Sequence, residues 1–112
     1  MKDAVSWDDF SKIDIRTGTV VAVFDFPEAR NPAYKVHIDF GEEIGVKKTS
    51  AQITTKYTKE ELVGEQIVAV VNFPIKQIAN FMSECLILGA VERKDVILIQ
   101  PQMKVSNGLK IS

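Results

Sequence analysis

Residues 71–89 read VNFPIKQIANFMSECLILG, and the fold turns on how this stretch is placed. An apolar run from Ile67 to Val71 leads into Asn72-Phe73-Pro74. Ile75, Ile78 and Phe81/Met82 then recur at helical spacing, the polar pair Ser83-Glu84 follows, and Gly89 closes a second apolar run from Cys85 to Leu88. The pattern predicts two strands joined by a loop with a helix-spaced segment, offering amide, ammonium, hydroxyl and carboxylate side chains. A mixed-polarity loop on a rigid sheet is where binding residues tend to lie.

Upstream, Tyr34, Val36, Ile38 and Phe40 alternate with Lys35, His37 and Asp39, a half-buried strand. Gly41 to Gly45 is a turn into a third strand, Val46 to Ile53, whose centre Lys47-Lys48-Thr49-Ser50 is unusually polar. Before these, a long strand is expected from Ile13 to Phe26, with a bulge or bend at Gly18 where the apolar phase changes. Pro27 to Pro32 is a loop, since neither proline can donate to a ladder. Ser6-Trp7-Asp8-Asp9 resembles a capping box and predicts one or two helical turns that pin Trp7 and Phe10 onto the body. Thr58-Lys59-Glu60-Glu61 is a second capping box, and Gly64 suits the left-handed residue that ends its short helix. Val96 to Ile99 is a further strand after the polar turn Glu92-Arg93-Lys94-Asp95, and Asn107-Gly108 signals a hairpin.

Three strands, a short helix and at least two more strands match the order of the OB-fold. The expected class is therefore mainly β: a five-stranded OB-fold barrel with short helices and extra C-terminal strands, residues 1–112 forming one domain. The two-sided apolar stretches Val20–Phe24 and Val96–Ile99 exceed what one small barrel covers, which predicts a homodimer.

Fourteen Lys plus Arg against fifteen Asp plus Glu leave a net charge of -1, which argues against wholesale nucleic-acid or anionic-membrane binding but allows a local basic patch. One cysteine, Cys85, sits in an apolar run, so no internal disulfide is available and a buried reduced thiol is expected. One His and one Cys far apart do not make a metal site, no glycine-rich phosphate loop is present, and no catalytic residues or cofactor are predicted. Met1-Lys2-Asp3 leads into no apolar signal segment and no stretch approaches membrane-spanning length, so a cytoplasmic chain without membrane insertion is expected.

Two constellations suit binding. Lys35, Lys47, Lys48, Ser50, Lys76 and Gln77, with Asn72 and Ser83 nearby, suit phosphates, and strand-borne aromatics suit stacking on bases. The bland alternative is that these lysines only solvate a face. Phe73, Pro74, Ile75, Ile78, Phe81 and Met82 suit adaptable contact with peptide side chains. Here the bland alternative is that Ile78 and Phe81 plug a barrel end.

The segments DFSKIDIRTGTVVAV from Asp9, ARNPAYKVHIDFG from Ala29, KKTSAQIT from Lys47, YTKEELVG from Tyr57 and VAVVNFPIKQIANFMSECLILGA from Val68 resemble the tRNA-binding-domain family of OB-folds, in particular its CsaA-type branch of export-related chaperones. That resemblance implies a homodimer that binds non-native or precursor polypeptides, and an export ATPase as a further partner, without hydrolysing ATP. Relatives outside this branch bind tRNA, and the region matching Asn72, Lys76 and Ser83-Glu84 helps form their tRNA surface. Where tRNA binders tend to carry Gly-Met after the Ser-Glu pair, this chain has Cys85-Leu86. The polypeptide- or tRNA-binding residues expected are thus Lys35, Lys48, Ser50, Asn72, Phe73, Lys76, Gln77, Phe81, Ser83 and Glu84. The acidic pI and apolar loop favour polypeptide; the retained Lys, Asn and Ser favour RNA.

Overall fold

A computed structural model describes residues 1–112. In chain order its elements are α1 (Trp7–Ser11), β1 (Ile15–Asp25), β2 (Tyr34–Asp39), β3 (Val46–Ala51), α2 (Lys59–Leu62), β4 (Gln66–Val70), β5 (Lys76–Ile78), β6 (Phe81–Ser83), β7 (Leu86–Ile87), β8 (Gly89–Glu92) and β9 (Asp95–Leu98). Five strands form one antiparallel sheet in the order β3-β2-β1-β4-β7. It curls until β3 meets the segment before β7: Glu84 N–H donates to Lys48 O at 2.8 Å. The expected five-stranded barrel, with α2 between the third and fourth strands, is the structure found.

Alternation in β2 works as read, with Val36, Ile38 and Phe40 fully buried beside Val20, Ile67, Ala69 and Leu62. β1 begins two residues later than expected, and its bulge lies at Val21 rather than Gly18. Val20 pairs with Ile38 but Ala22 with His37, so Val21 is the extra residue and swings outward. Gly18 has a different duty. A Cβ there would meet Ile38 Cγ2 at 2.6 Å and the Phe40 ring at 2.9 Å, so the glycine lets the strand lie against the core. α2 follows its capping box: Thr58 Oγ1 accepts from Glu61 N–H while Glu61 Oε1 accepts from Thr58 N–H. Those bonds hold the Glu61 carboxyl below its usual range. Gly64 takes φ +94° and ties the helix end to β1 by donating to Val20 O.

Three further expectations are corrected. Ile75–Met82 is not helical: β5 and β6 form a hairpin, with Ala79 at φ 53°, because Phe81 packs on Phe26 and Ala33 in a second small core. Trp7 is not pinned to the body but 86% exposed, and α1 buries no residue. Its anchor is polar instead, Asn72 donating to Lys12 O at 2.7 Å and accepting from Asp14 N–H at 2.9 Å. Finally, Asn107-Gly108 turns but makes no hairpin. Its flanks bond to β1, Gly108 N–H to Thr17 O and Thr17 N–H to Leu109 O, so an existing strand outcompetes a local partner. The buried Arg16 guanidinium holds that tail, donating to Gly108 O while paired with Asp14 and Glu43.

Candidate functional site

The hairpin β5–β6 leaves a cleft of about 510 Å³ beside β3. Phe73, Pro74, Ile78, Leu86, Ile87 and Val96 give it an apolar surface, and Ser50, Gln52, Ser83 and Lys76 its polar groups. Phe73, Leu86 and Lys76 remain exposed, so the apolar surface is open to a partner. The cleft wall is fixed by buried hydroxyls. Thr49 Oγ1 donates to Cys85 O at 2.6 Å and lies 2.8 Å from Ser83 Oγ, which also accepts from Ser50 N–H.

Lys48 N–H donates to Glu84 Oε1 at 3.0 Å, a second bond across the same closure. Burial pushes the Cys85 thiol up to about 12, helped by the Glu84 carboxylate, so the thiol is no nucleophile near neutral pH. This is the buried free cysteine expected from sequence.

The ten expected site residues do not all share the cleft, and Glu84 is spent on Lys48 N–H at the barrel closure. Ser50, Phe73, Lys76 and Ser83 line the cleft, although the Ser83 hydroxyl is buried among intrachain bonds. Lys35 and Lys48 lie nearby with Nζ 5.6 and 5.2 Å from the centre of the Phe81 ring, and Phe81 itself is buried as a plug. Asn72 lies apart, beside Lys12 and Asp14, and both ends of its amide are occupied. Gln77 is exposed and donates to Ala79 O. Sequence reasoning missed Gln52, Leu86, Ile87 and Val96 in the cleft; the apolar runs carrying Leu86, Ile87 and Val96 were visible, but not which side would face a gap.

A nearly closed five-stranded antiparallel barrel with a side cleft defines an OB-fold binding module. The family described as "Putative tRNA binding domain" matches residues 15–110, and the chain belongs to that family. Among solved structures, it is similar to the chaperone CsaA of Bacillus anthracis, 53% identical over 98% of this chain and all of that one, with a TM-score of 0.93. It is also similar to the CsaA chaperone protein of Picrophilus torridus, 52% identical over 97% of this chain and all of that one, with a TM-score of 0.92. Among curated proteins, methionine–tRNA ligase of Thermococcus kodakarensis is 34% identical over 96% of this chain. The chain spans about 14% of that ligase's length. No helix is long and apolar enough to cross a membrane.

Proposed function

We propose that this chain is an ATP-independent, export-related chaperone of the cytoplasm, holding non-native or precursor polypeptides in the cleft beside β3. The observation that carries the reading is the cleft itself, where exposed Phe73 and Leu86 stand beside the Lys76 ammonium. Unfolded segments present apolar side chains with intervening polar backbone, and an apolar floor beside hydroxyl and ammonium groups complements both. Cys85-Leu86 bears on this choice, since it places a leucine on the open surface. The similarity to CsaA chaperones from two organisms supports the same reading. An export ATPase that receives the bound precursor is the further partner this function calls for.

The working unit we propose is a homodimer. Trp7, Phe10, Ile13 and Ile111 leave an exposed apolar surface around α1, more than an isolated short helix keeps in water without a partner.

RNA is the second reading, favoured by Lys35 and Lys48, whose ammonium groups lie 5.6 and 5.2 Å from the Phe81 ring centre, and by the family match. One paired measurement on purified protein tests both. Suppression of aggregation of a chemically unfolded protein is followed beside tRNA binding across a salt series. Protection is expected for the first, and its absence sinks the chaperone reading. A steep fall of log affinity with log salt marks phosphate contacts, and no tRNA affinity at low salt ends the RNA reading.

A further inference from the structure

The barrel closes at one place and then opens. β3 and β7 run parallel, since every step in the order β3-β2-β1-β4-β7 reverses direction. At the closure Lys48 exchanges two bonds with Glu84, and two residues further along β3 the Ser50 N–H donates to Ser83 Oγ. Past Ser50 no bond spans the gap, and both walls of the cleft end in unpaired main chain.

On β3 the residues that turn their backbone groups away from β2 alternate, Lys48, Ser50 and then Gln52. Neither the Gln52 N–H nor its C=O has a partner within the chain. The Ser50 carbonyl has only the Thr49 hydroxyl, at 3.1 Å, and that proton is already given to Cys85 O. The β7 wall matches it. Ile87 lies opposite Ala69, and Leu88 N–H donates to Val68 O, so antiparallel alternation sends the Ile87 N–H and C=O away from β4. No other strand pairs with β7.

Gln52 and Ile87 both line the cleft, among apolar side chains that include Phe73 and Leu86. Free donors and acceptors along a strand edge are a template for one more strand. Charge adds a second constraint. Lys76 is the one charged residue in the lining and joins no ion pair. The Glu84 carboxylate keeps its charge while accepting from Lys48 N–H, but it lies outside that lining.

We propose that the cleft takes a polypeptide as an extended strand, added to the free edge of β3 at Ser50 and Gln52 beside Ile87, with an acidic side chain of the client on Lys76. The proposal rests on the chaperone reading and gives it a mode. Recognition runs through the client's main chain, which every unfolded segment carries whatever its sequence, while the apolar lining receives alternate side chains. A nucleic-acid strand offers no such alternation of N–H and C=O.

The test measures, by fluorescence anisotropy, a labelled peptide of about ten residues in which Val alternates with Thr between terminal glutamates. Two further peptides carry N-methyl groups on every second residue, one on the Val set and one on the Thr set. A strand turns only one set towards β3, so at least one methylated peptide is expected to bind about three- to tenfold more weakly for each bond lost. Equal affinities for all three peptides overturn the proposal, as does failure of the unmethylated one to bind. Gln52→Pro removes the edge N–H without breaking an internal bond and is expected to weaken the unmethylated peptide several-fold, whereas Gln52→Ala, which keeps the N–H, loses less. Unchanged affinity in a Gln52→Pro variant of normal melting temperature also overturns it, and if that variant is destabilised the methylated peptides decide alone. Terminal glutamines in place of the glutamates weaken binding to wild type but not to Lys76→Ala; no change for wild type removes the acidic contact. Suppression of aggregation of a chemically unfolded protein is followed alongside. Protection with three equal peptide affinities leaves the chaperone reading standing without the added strand, and loss of both protection and peptide binding removes the two together.

Discussion

Glu84 and Lys48 are joined twice, the Glu84 amide donating to Lys48 O at 2.8 Å and the Lys48 amide donating to Glu84 Oε1 at 3.0 Å. One residue thus serves β3 from both its backbone and its side chain, as a paired strand would. The carboxylate supplies the acceptor that a missing strand residue leaves vacant, and the barrel closes there. Glu84→Ala is expected to cost about 1–3 kcal/mol, the range for a hydrogen bond to a charged group or a donor left without a partner. Glu84→Gln, which keeps the acceptor, should lose distinctly less. Urea unfolding of the two variants compares them, and equal stabilities would show that the side-chain bond contributes nothing.

Gly18 should tolerate no side chain. With Ile38 Cγ2 and the Phe40 ring already within 3 Å of the position a methyl would take, Gly18→Ala forces core side chains to move. The expected loss is about 1–3 kcal/mol, measured by thermal or denaturant unfolding. An unchanged midpoint would mean that β1 can lift off β2 freely.

Phe73 and Lys76 are exposed on the open cleft and hold nothing else together. Phe73→Ser is expected to abolish most protection of an unfolded polypeptide, and Lys76→Ala to weaken tRNA binding several-fold. Both should leave stability within about 0.5 kcal/mol, as surface substitutions do. A large drop in melting temperature for Lys76→Ala would make it structural and remove it from the site.

Alkaline pH should loosen the fold through Cys85. Its thiol titrates near 9 when unfolded and is pushed up to about 12 by burial. A group with a raised folded value contributes its full stability below the unfolded value and loses it as pH climbs towards the folded one. Stability is therefore expected to fall between about pH 9 and pH 12, and Cys85→Ala should flatten that limb relative to wild type. Identical slopes for the two proteins above pH 9 would refute the assignment.

The surface around Trp7 is expected to seat a second copy of the chain. Sedimentation should give twice the 12.5 kDa chain mass at micromolar concentration, and Trp7→Ala with Ile111→Asp should shift it towards the monomer. A wild-type species of 12.5 kDa would rule the dimer out.

What the residues alone determined were features governed by neighbours in the chain. Alternation from Tyr34 to Phe40 fixed a half-buried strand, because adjacent side chains must point to opposite faces. Thr58 to Glu61 fixed the start of α2 and Gly64 its end, both through bonds that span a few residues. The order of elements along the chain, three strands, a short helix and more strands, followed from those signals and pointed to the barrel. Tertiary structure decided whatever depended on a distant competitor. Ile75, Ile78 and Met82 fit a helix by spacing, but Phe81 finds Phe26 and Ala33 and the segment folds as a hairpin. Asn107-Gly108 turns as its sequence asks, yet β1 takes the bonds a hairpin partner would have received. The site divided in the same way. Lysines and phenylalanines were visible as residue types. Which of them face one cleft, which brace one another and which, like Asn72, fasten the chain was settled by how the sheet closes on Glu84.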